Sequence, residues 1–341
     1  MQIKFQKIRN AETPVYCWDT IAEFFENYNS EEGFHCIDVE LNNIKLPLYF
    51  FIRIKRHCPL VVFYHGANHR ERMQLPRIDG VGITADMNCS LFSPCDPLLF
   101  INEKMVLTWY TAFKDDPLKL ILSIAKHLKY ALNSTRLIYC GSLGGGFAAL
   151  RSVLYYCDKE NITSYDTDQN NDCFYSSLDN FNYGSTAIAI NPQTDIKSFY
   201  WDPVVKAFFE LDANGKSPTQ SSRPFSLLNF KLIPKFLNSS KSKIYYLQQN
   251  EDIHIEGHLI PFLKTNDIPC QEAIDGRLST WISDDVYLHI GNWKQNISMK
   301  RIENHVRPPK KFLYYVLQQL VSDNPIDRNT LRSYDCIPPK P

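Results

Sequence analysis

Glycine is scarce in this chain, 13 residues in 341, yet four of them fall in one hexapeptide, Gly141-Ser142-Leu143-Gly144-Gly145-Gly146. Residues 136–140 (RLIYC) before it read as a strand and FAALRSVLYY after it as a helix, so strand, glycine turn and helix are contiguous. Three chemistries use such a turn. A P-loop needs GxxxxGK[ST], and neither Lys nor Thr follows these glycines. A dinucleotide fingerprint is met in letters by Gly144-Gly145-Gly146-Phe147-Ala148-Ala149. It also needs an acid ending the next strand about 20 residues on, and that window is polar with no strand before it. The third is a G-x-S-x-G nucleophile elbow, a strained turn that holds a Ser hydroxyl clear of the backbone. Read as Cys140-Gly141-Ser142-Leu143-Gly144, the turn makes Ser142 the candidate nucleophile, with small residues on either side. The plainer reading is a tight structural turn with a bystander Ser.

An elbow needs an oxyanion loop after an earlier buried strand, and LVVFYHG (60–66) followed by Ala67 supplies one. The expected donors are the backbone N–H of Leu143 and that of Gly66 or Ala67. Such donors each contribute about 3–4 kcal/mol to the transition state. His65 reads best as a residue that orders the loop. An acid and then a His must follow in chain order. Asp252, after the strand YYLQQN, is the first choice for the acid, with Glu251 and Asp195 behind it. His305, in a loop before Pro308-Pro309 and the last helix, is the expected base. His254, His258 and His289 read as structural or solvated. A metal site from Asp252, His254 and His258 lacks the HExxH spacing, so no metal is expected.

The elements that position these residues alternate. The continuous apolar runs 60–66, 136–140 and 185–192 read as strands buried on both faces, and residues 117–132 carry a helical period behind Pro117. Residues 242–250 and 285–292 add two strands, and 308–321 a closing helix. Residues 15–29 read as a short helix, and 34–41 and 46–54 as a hairpin. Strands alternating with helices imply an α/β chain with a mostly parallel sheet and helices on both faces. The expected organisation is a lead-in over 1–58, a catalytic domain over 59–325 and a tail over 326–341. Insertions at about 157–183 and 200–240 form a cap on this reading. The net charge is zero, 37 basic against 37 acidic residues, which gives no electrostatic reason to bind nucleic acid. No apolar run approaches a membrane span or a signal peptide. Ten Cys without a CxxC pair fit a reducing cytoplasm.

With these residues in place, the sequence resembles the serine α/β-hydrolase superfamily, and within it the bacterial surface-polysaccharide O-acetyltransferases of the meningococcal serogroup A capsule type. The resembling stretches are VVFYHGA, SPCDPLL (93–99), LTWYTAF (107–113), LIYCGSLGGGFAAL, AINPQTDI (189–196), YYLQQNEDIHIEGHLIPF and NHVRPPKKF. That group carries G-S-S-G-G-G or G-S-S-A-G-G at the elbow; here Leu143 replaces the second Ser. It also has Gly before the catalytic His, where this chain has Asn304. The resemblance implies an α/β-hydrolase fold and transfer of acetyl from acetyl-CoA, the only cosubstrate, to a hydroxyl of a capsular glycan through an acetyl-serine. It implies a cytoplasmic enzyme working beside polysaccharide machinery at the inner membrane.

On this reading Ser142 attacks, His305 takes its proton, and Asp252 orients His305. The basic residues Lys300, Arg301, Arg307, Lys310 and Lys311 around His305 would hold CoA phosphates or an anionic glycan; the bland reading is a solvated helix end. Two other functions use the same fold. A carboxylesterase or sugar deacetylase would need the same three residues, and a non-catalytic partner in polysaccharide or secretion machinery would need none of them.

Overall fold

A computed structural model describes residues 1–8, 10–41, 43–103, 105–112, 116–154, 184–199, 241–270, 279–282, 285–293 and 306–335. Two hairpin-like pairs begin the chain: β1 (Gln2–Ile8) with β2 (Ala11–Trp18), then, after helix α1 (Ile21–Asn27), β3 (Gly33–Leu41) with β4 (Ile44–Arg53). Val15, Tyr16, Cys17 and Trp18 pair with β3 instead of opening a helix, so the expected helix over 15–29 shortens to α1. Its start is set by Thr20, whose hydroxyl accepts the Glu23 N–H at 3.0 Å, while Glu23 reaches back to the Asp19 N–H at 2.7 Å.

The strands that follow are β5 (Leu60–Tyr64), β6 (Ser90–Pro94), β7 (Leu137–Ser142), β8 (Thr186–Ile190), β9 (Lys243–Gln249), β10 (Ser279–Trp281) and β11 (Val286–Gly291). One sheet of eleven strands results, in the order β1-β2-β3-β4-β6-β5-β7-β8-β9-β11-β10. From β6 to β11 the neighbours are parallel, and β4 enters antiparallel to β6. The parallel strands β5 to β8 are buried along their whole length, and β5, β7 and β8 carry the continuous apolar runs that such a position favours.

Alternation along each strand feeds two cores. Leu60, Val62, Tyr64, Tyr139, Ala189 and Tyr246 pack on one face under α2 (Pro117–Ala131) and α3 (Gly144–Leu154). Val61, Phe63, Ile138, Cys140, Ile190 and Leu247 point to the other, where α5 (Lys310–Val321) sets Phe312, Val316 and Leu317. Between them in chain order lies α4 (Ile260–Thr265), and the last helix is α6 (Arg328–Arg332), which falls inside the expected tail and buries Leu331. A buried ion pair, Asp116 to Arg151 at 2.6 Å, ties the start of α2 to α3. The expected insertions at 157–183 and 200–240 lie outside the described residues. Among the described residues no helix is long and apolar enough to cross a membrane.

Candidate functional site

The glycine turn sits at the carboxyl edge of the sheet, and a single residue separates β7 from α3. That residue is Leu143, at φ +55°. Left-handed backbone costs an L-residue about 1–2 kcal/mol, so the surroundings must impose it. They do so through two glycines placed symmetrically about Leu143. A Cβ on Gly141 would stand 2.2 Å from the Gly145 carbonyl oxygen, and one on Gly145 would meet the His65 and Tyr64 carbonyl oxygens at 2.6 and 2.7 Å. The elbow is therefore centred on Leu143, where the sequence reading centred it on Ser142. The apex of this turn, the position from which an elbow presents its nucleophile, carries an isobutyl group.

Ser142 is the last residue of β7, with its side chain on the same face as Cys140 and Ile138. It is only 8% exposed. Its Oγ lies 3.3 Å from the point where a Cβ of Gly66 would be. The Leu143 N–H, expected as an oxyanion donor, instead donates to the Ile190 carbonyl at 3.0 Å, stitching the turn to β8. With Leu143 at the apex, the N–H that points out of the helix end is that of Gly144, the first residue of α3.

The loop after β5 is where the sequence placed it, and its polar groups are heavily tied. His65 donates from Nδ1 to the Gly66 carbonyl at 2.7 Å and accepts the Asp96 N–H on Nε2 at 3.1 Å. Its backbone N–H donates to the Tyr110 hydroxyl at 2.9 Å. Burial, aided by the Arg77 cation, lowers its pKa to about 4, so His65 is a neutral loop-ordering residue, as read from the sequence. Gly66 and Ala67, the expected loop donors, each give their carbonyl to Arg77, which also pairs with Asp79 at 2.7 Å. Behind them Asp96 accepts the Leu98 N–H at 3.2 Å and the Tyr110 N–H at 2.7 Å. It thereby holds Trp109 and Tyr110, both left-handed at φ +53° and +55°. Burial outweighs these bonds and raises the Asp96 pKa to about 6. Sequence reasoning noticed SPCDPLL and LTWYTAF only as resembling stretches and missed Asp96, Tyr110 and Arg77. The available signal was Asp96-Pro97, an N-cap followed by Pro at the first helical position.

Asp252 stands just after β9 as expected, 3% exposed, and accepts the His254 N–H at 2.8 Å. Asp195 instead caps a short 3-10 turn through the Lys197 N–H and the Ser198 hydroxyl, and Glu251 is exposed. The rings of His254 and His258 are buried 4.8 Å apart, and His258 Nδ1 accepts the Thr194 N–H. His289 is buried against Ser279 at 2.9 Å and stacked on Trp293. These three histidines are interior residues. His305, with Lys300 and Arg301, lies outside the described residues. Of the remaining bases, Lys310 and Lys311 are exposed in the first turn of α5. Arg307 turns toward the site: its Nη2 lies 3.6 Å from the same Gly66 point that Ser142 approaches. It is placed there by Asn191, which donates from Nδ2 to the Val306 carbonyl at 3.0 Å and accepts the Gln249 N–H at 2.8 Å. Among the described residues no group of three or more His, Cys, Asp or Glu could hold a metal ion.

No protein family matches the chain in sequence, and neither does any curated protein. Solved structures do match in shape. An S-formylglutathione hydrolase from Agrobacterium tumefaciens is 13% identical, with a TM-score of 0.44 over 86% of this chain and 94% of its own. Fungal esterases from Rhizomucor miehei give 14% and 0.45, over 86% of this chain and 84% of theirs. The fluorophosphonate-binding serine hydrolase F of Staphylococcus aureus gives 11% and 0.42, over 70% and 89%. Likeness at this level concerns the fold, and the strand order carries that conclusion by itself. With a parallel sheet entered by an antiparallel strand, a clamped loop after β5, a glycine elbow after β7 and an acid after β9, the chain has the α/β-hydrolase fold.

Proposed function

We propose that this chain uses the α/β-hydrolase scaffold to bind a ligand at the carboxyl edge of its sheet, without an elbow nucleophile. The observation behind this reading is Leu143 at the left-handed apex, flanked by Gly141 and Gly145. A hydrocarbon there attacks no carbonyl. The strand position before it directs the Ser142 hydroxyl sideways, under the oxyanion loop.

A second reading has one observation in its favour. Ser142 is a serine beside that loop and beside Arg307, so it is the hydroxyl through which a carboxylesterase or deacetylase of this fold would have to work. The acetyl-CoA-dependent glycan O-acetyltransferase implied by the sequence resemblance depends on the same hydroxyl. Both would form an ester on Ser142 Oγ and release an alcohol or CoA thiol.

Intact-mass spectrometry after exposure to a fluorophosphonate, with 4-nitrophenyl acetate and acetyl-CoA turnover in parallel, separates the readings. The wild-type chain should remain unmodified and release neither nitrophenol nor CoA above background. Leu143→Ser restores a hydroxyl at the apex and tests whether the rest of the machinery is in place. A wild-type adduct mapped to Ser142, lost in Ser142→Ala, would overturn the non-hydrolytic reading.

A further inference from the structure

The two faces of the hairpin β1–β2 are used differently. On one, Ile8 and Val15 are buried with Cys36, and Gln6 accepts the Tyr49 hydroxyl at 2.7 Å. On the other, the register sets Ile3 beside Tyr16, Phe5 beside Pro14 and Lys7 beside Glu12. Tyr16 is half-buried against the main core. Past it Ile3 and Phe5 are 55% and 70% exposed, and Pro14 is exposed as well. The outer side of β1 is also open. It is the edge strand of the sheet, and no strand lies beyond it among the described residues. Natural proteins blunt such an edge by shortening it, breaking it with Pro or a bulge, or covering it. β1 instead runs in unbroken register from Gln2 to Ile8 and contains no Pro. An apolar stripe continuous with the core and bordering an open edge is an interaction surface. Glu12 balances Lys7 across the hairpin, so this face calls for no strongly charged partner.

The order of residues in β1 suits it to a copy of itself. A two-fold axis normal to the sheet at Phe5 lays two β1 strands antiparallel and keeps each residue on its own face. Phe5 then stands against Phe5, Ile3 against Lys7, Lys4 against Gln6 and Gln2 against Ile8. Edge lysines often repel a second strand, but in this register no lysine meets another. An axis at Lys4 would set Lys4 against Lys4, and one at Gln6 would split the aromatic pair.

We propose that this protein self-associates through β1: two copies pair antiparallel about Phe5, joining their sheets into one and closing Ile3, Phe5 and Pro14 of each copy against the other. Backbone hydrogen bonds along the edge supply the attraction, and the Phe5 pair fixes the register. β7 is six strands away in the sheet, so the pairing leaves the carboxyl-edge site open and does not depend on what that site does.

Sedimentation velocity of the full chain over a wide range of concentrations tests it. One added strand pair is a small interface, so a reversible monomer–dimer equilibrium should appear. Phe5→Glu sets two carboxylates against each other at the axis and should weaken dimerisation at least about tenfold. Phe5→Leu should keep most of it. The sign of charge at residue 3 reads the register. Ile3→Glu, placed opposite Lys7 of the other copy, should be tolerated, whereas Ile3→Lys should weaken association several-fold. Thermal unfolding of the dilute variants, unchanged from wild type, shows that these exposed substitutions leave the fold intact. A monomer at every concentration, a dimer indifferent to Phe5→Glu, or equal effects of Ile3→Glu and Ile3→Lys would each overturn the proposal. So would open-ended assembly, because pairing about a two-fold axis closes at the dimer.

Discussion

Two clusters flank the loop after β5, and they differ in how their polar groups are used. On one side His65, Asp96 and Tyr110 satisfy one another: each buried N–H meets an acceptor, and the carboxylate receives two backbone donors. On the other side the Ser142 hydroxyl and the guanidinium of Arg307, which is exposed to solvent, approach one point beside Gly66 from 3.3 and 3.6 Å. Buried polar groups are almost always paired, because leaving one unpaired costs about 1–3 kcal/mol. The paired cluster is thus structural, and it offsets the strain of two left-handed aromatic residues. The other is not locked in this way: Arg307 stands in solvent, and nothing in the fold depends on the Ser142 hydroxyl.

The contrast breaks or sharpens under substitution. Asp96→Ala should be the most damaging change. It strips the acceptor from the buried Leu98 and Tyr110 N–H groups and should lower unfolding stability by about 3 kcal/mol or more, read by urea denaturation. Asp96→Asn, which keeps one acceptor oxygen, should lose less. Gly145→Ala should cost a comparable amount, about 2–3 kcal/mol, because its Cβ would press on the His65 and Tyr64 carbonyl oxygens.

A smaller effect is expected from pH. His65 and His35 are both held neutral by burial, with pKa values lowered to about 4. Between about 4 and the ordinary 6.5 the unfolded chain binds protons that these native rings refuse. Stability should therefore rise with pH across that window and be lost on acidification. Asp96, raised to about 6, works in the opposite direction above its ordinary value, since the native state keeps its proton longer. The His127 pKa is lowered by burial as well, so with three histidines against this one acid stability should fall from pH 6.5 to 4, and His65→Gln should flatten the slope. Denaturation midpoints at pH 7, 5.5 and 4.5 check this.

Ser142→Ala should have the least effect, within about 1 kcal/mol of wild type, since its hydroxyl holds nothing in the fold. A loss as large as that of Asp96→Ala would erase the distinction between the clusters.

Much of this was legible in residue types alone. Buried strands announce themselves as unbroken apolar runs, which is why β5, β7, β8, β9 and β11 were readable, and α2 carries its period behind an Asp-Pro cap. Strand β6 and the pair β1–β2 were not. SLFSP is short and polar at both ends, and QIKFQKI and AETPVYCW lie at the sheet edge, where half-exposed strands show little apolar contrast. That Asp252 stands after a strand was readable, because such a place is a chain-order property; its role as the acid remains an expectation. His305 remains an expectation, as it lies outside the described residues.

The sequence by itself determined that a glycine-rich strand-to-helix turn stands at the centre of an α/β sheet, with an acid downstream. It could not decide which residue the turn presents. CGSLGGG offers small residues in two overlapping frames, one centred on Ser142 and one on Leu143. Only the tertiary structure chooses between them. Gly141 faces Gly145 across the turn, and Gly145 faces the carbonyl oxygens of β5 and its loop. Those contacts leave no room for a Cβ, so they centre the elbow on the residue midway between the two glycines. The same packing, through Asn191 and Val306, brings Arg307 beside Ser142 from 165 residues away, a proximity that no local pattern records.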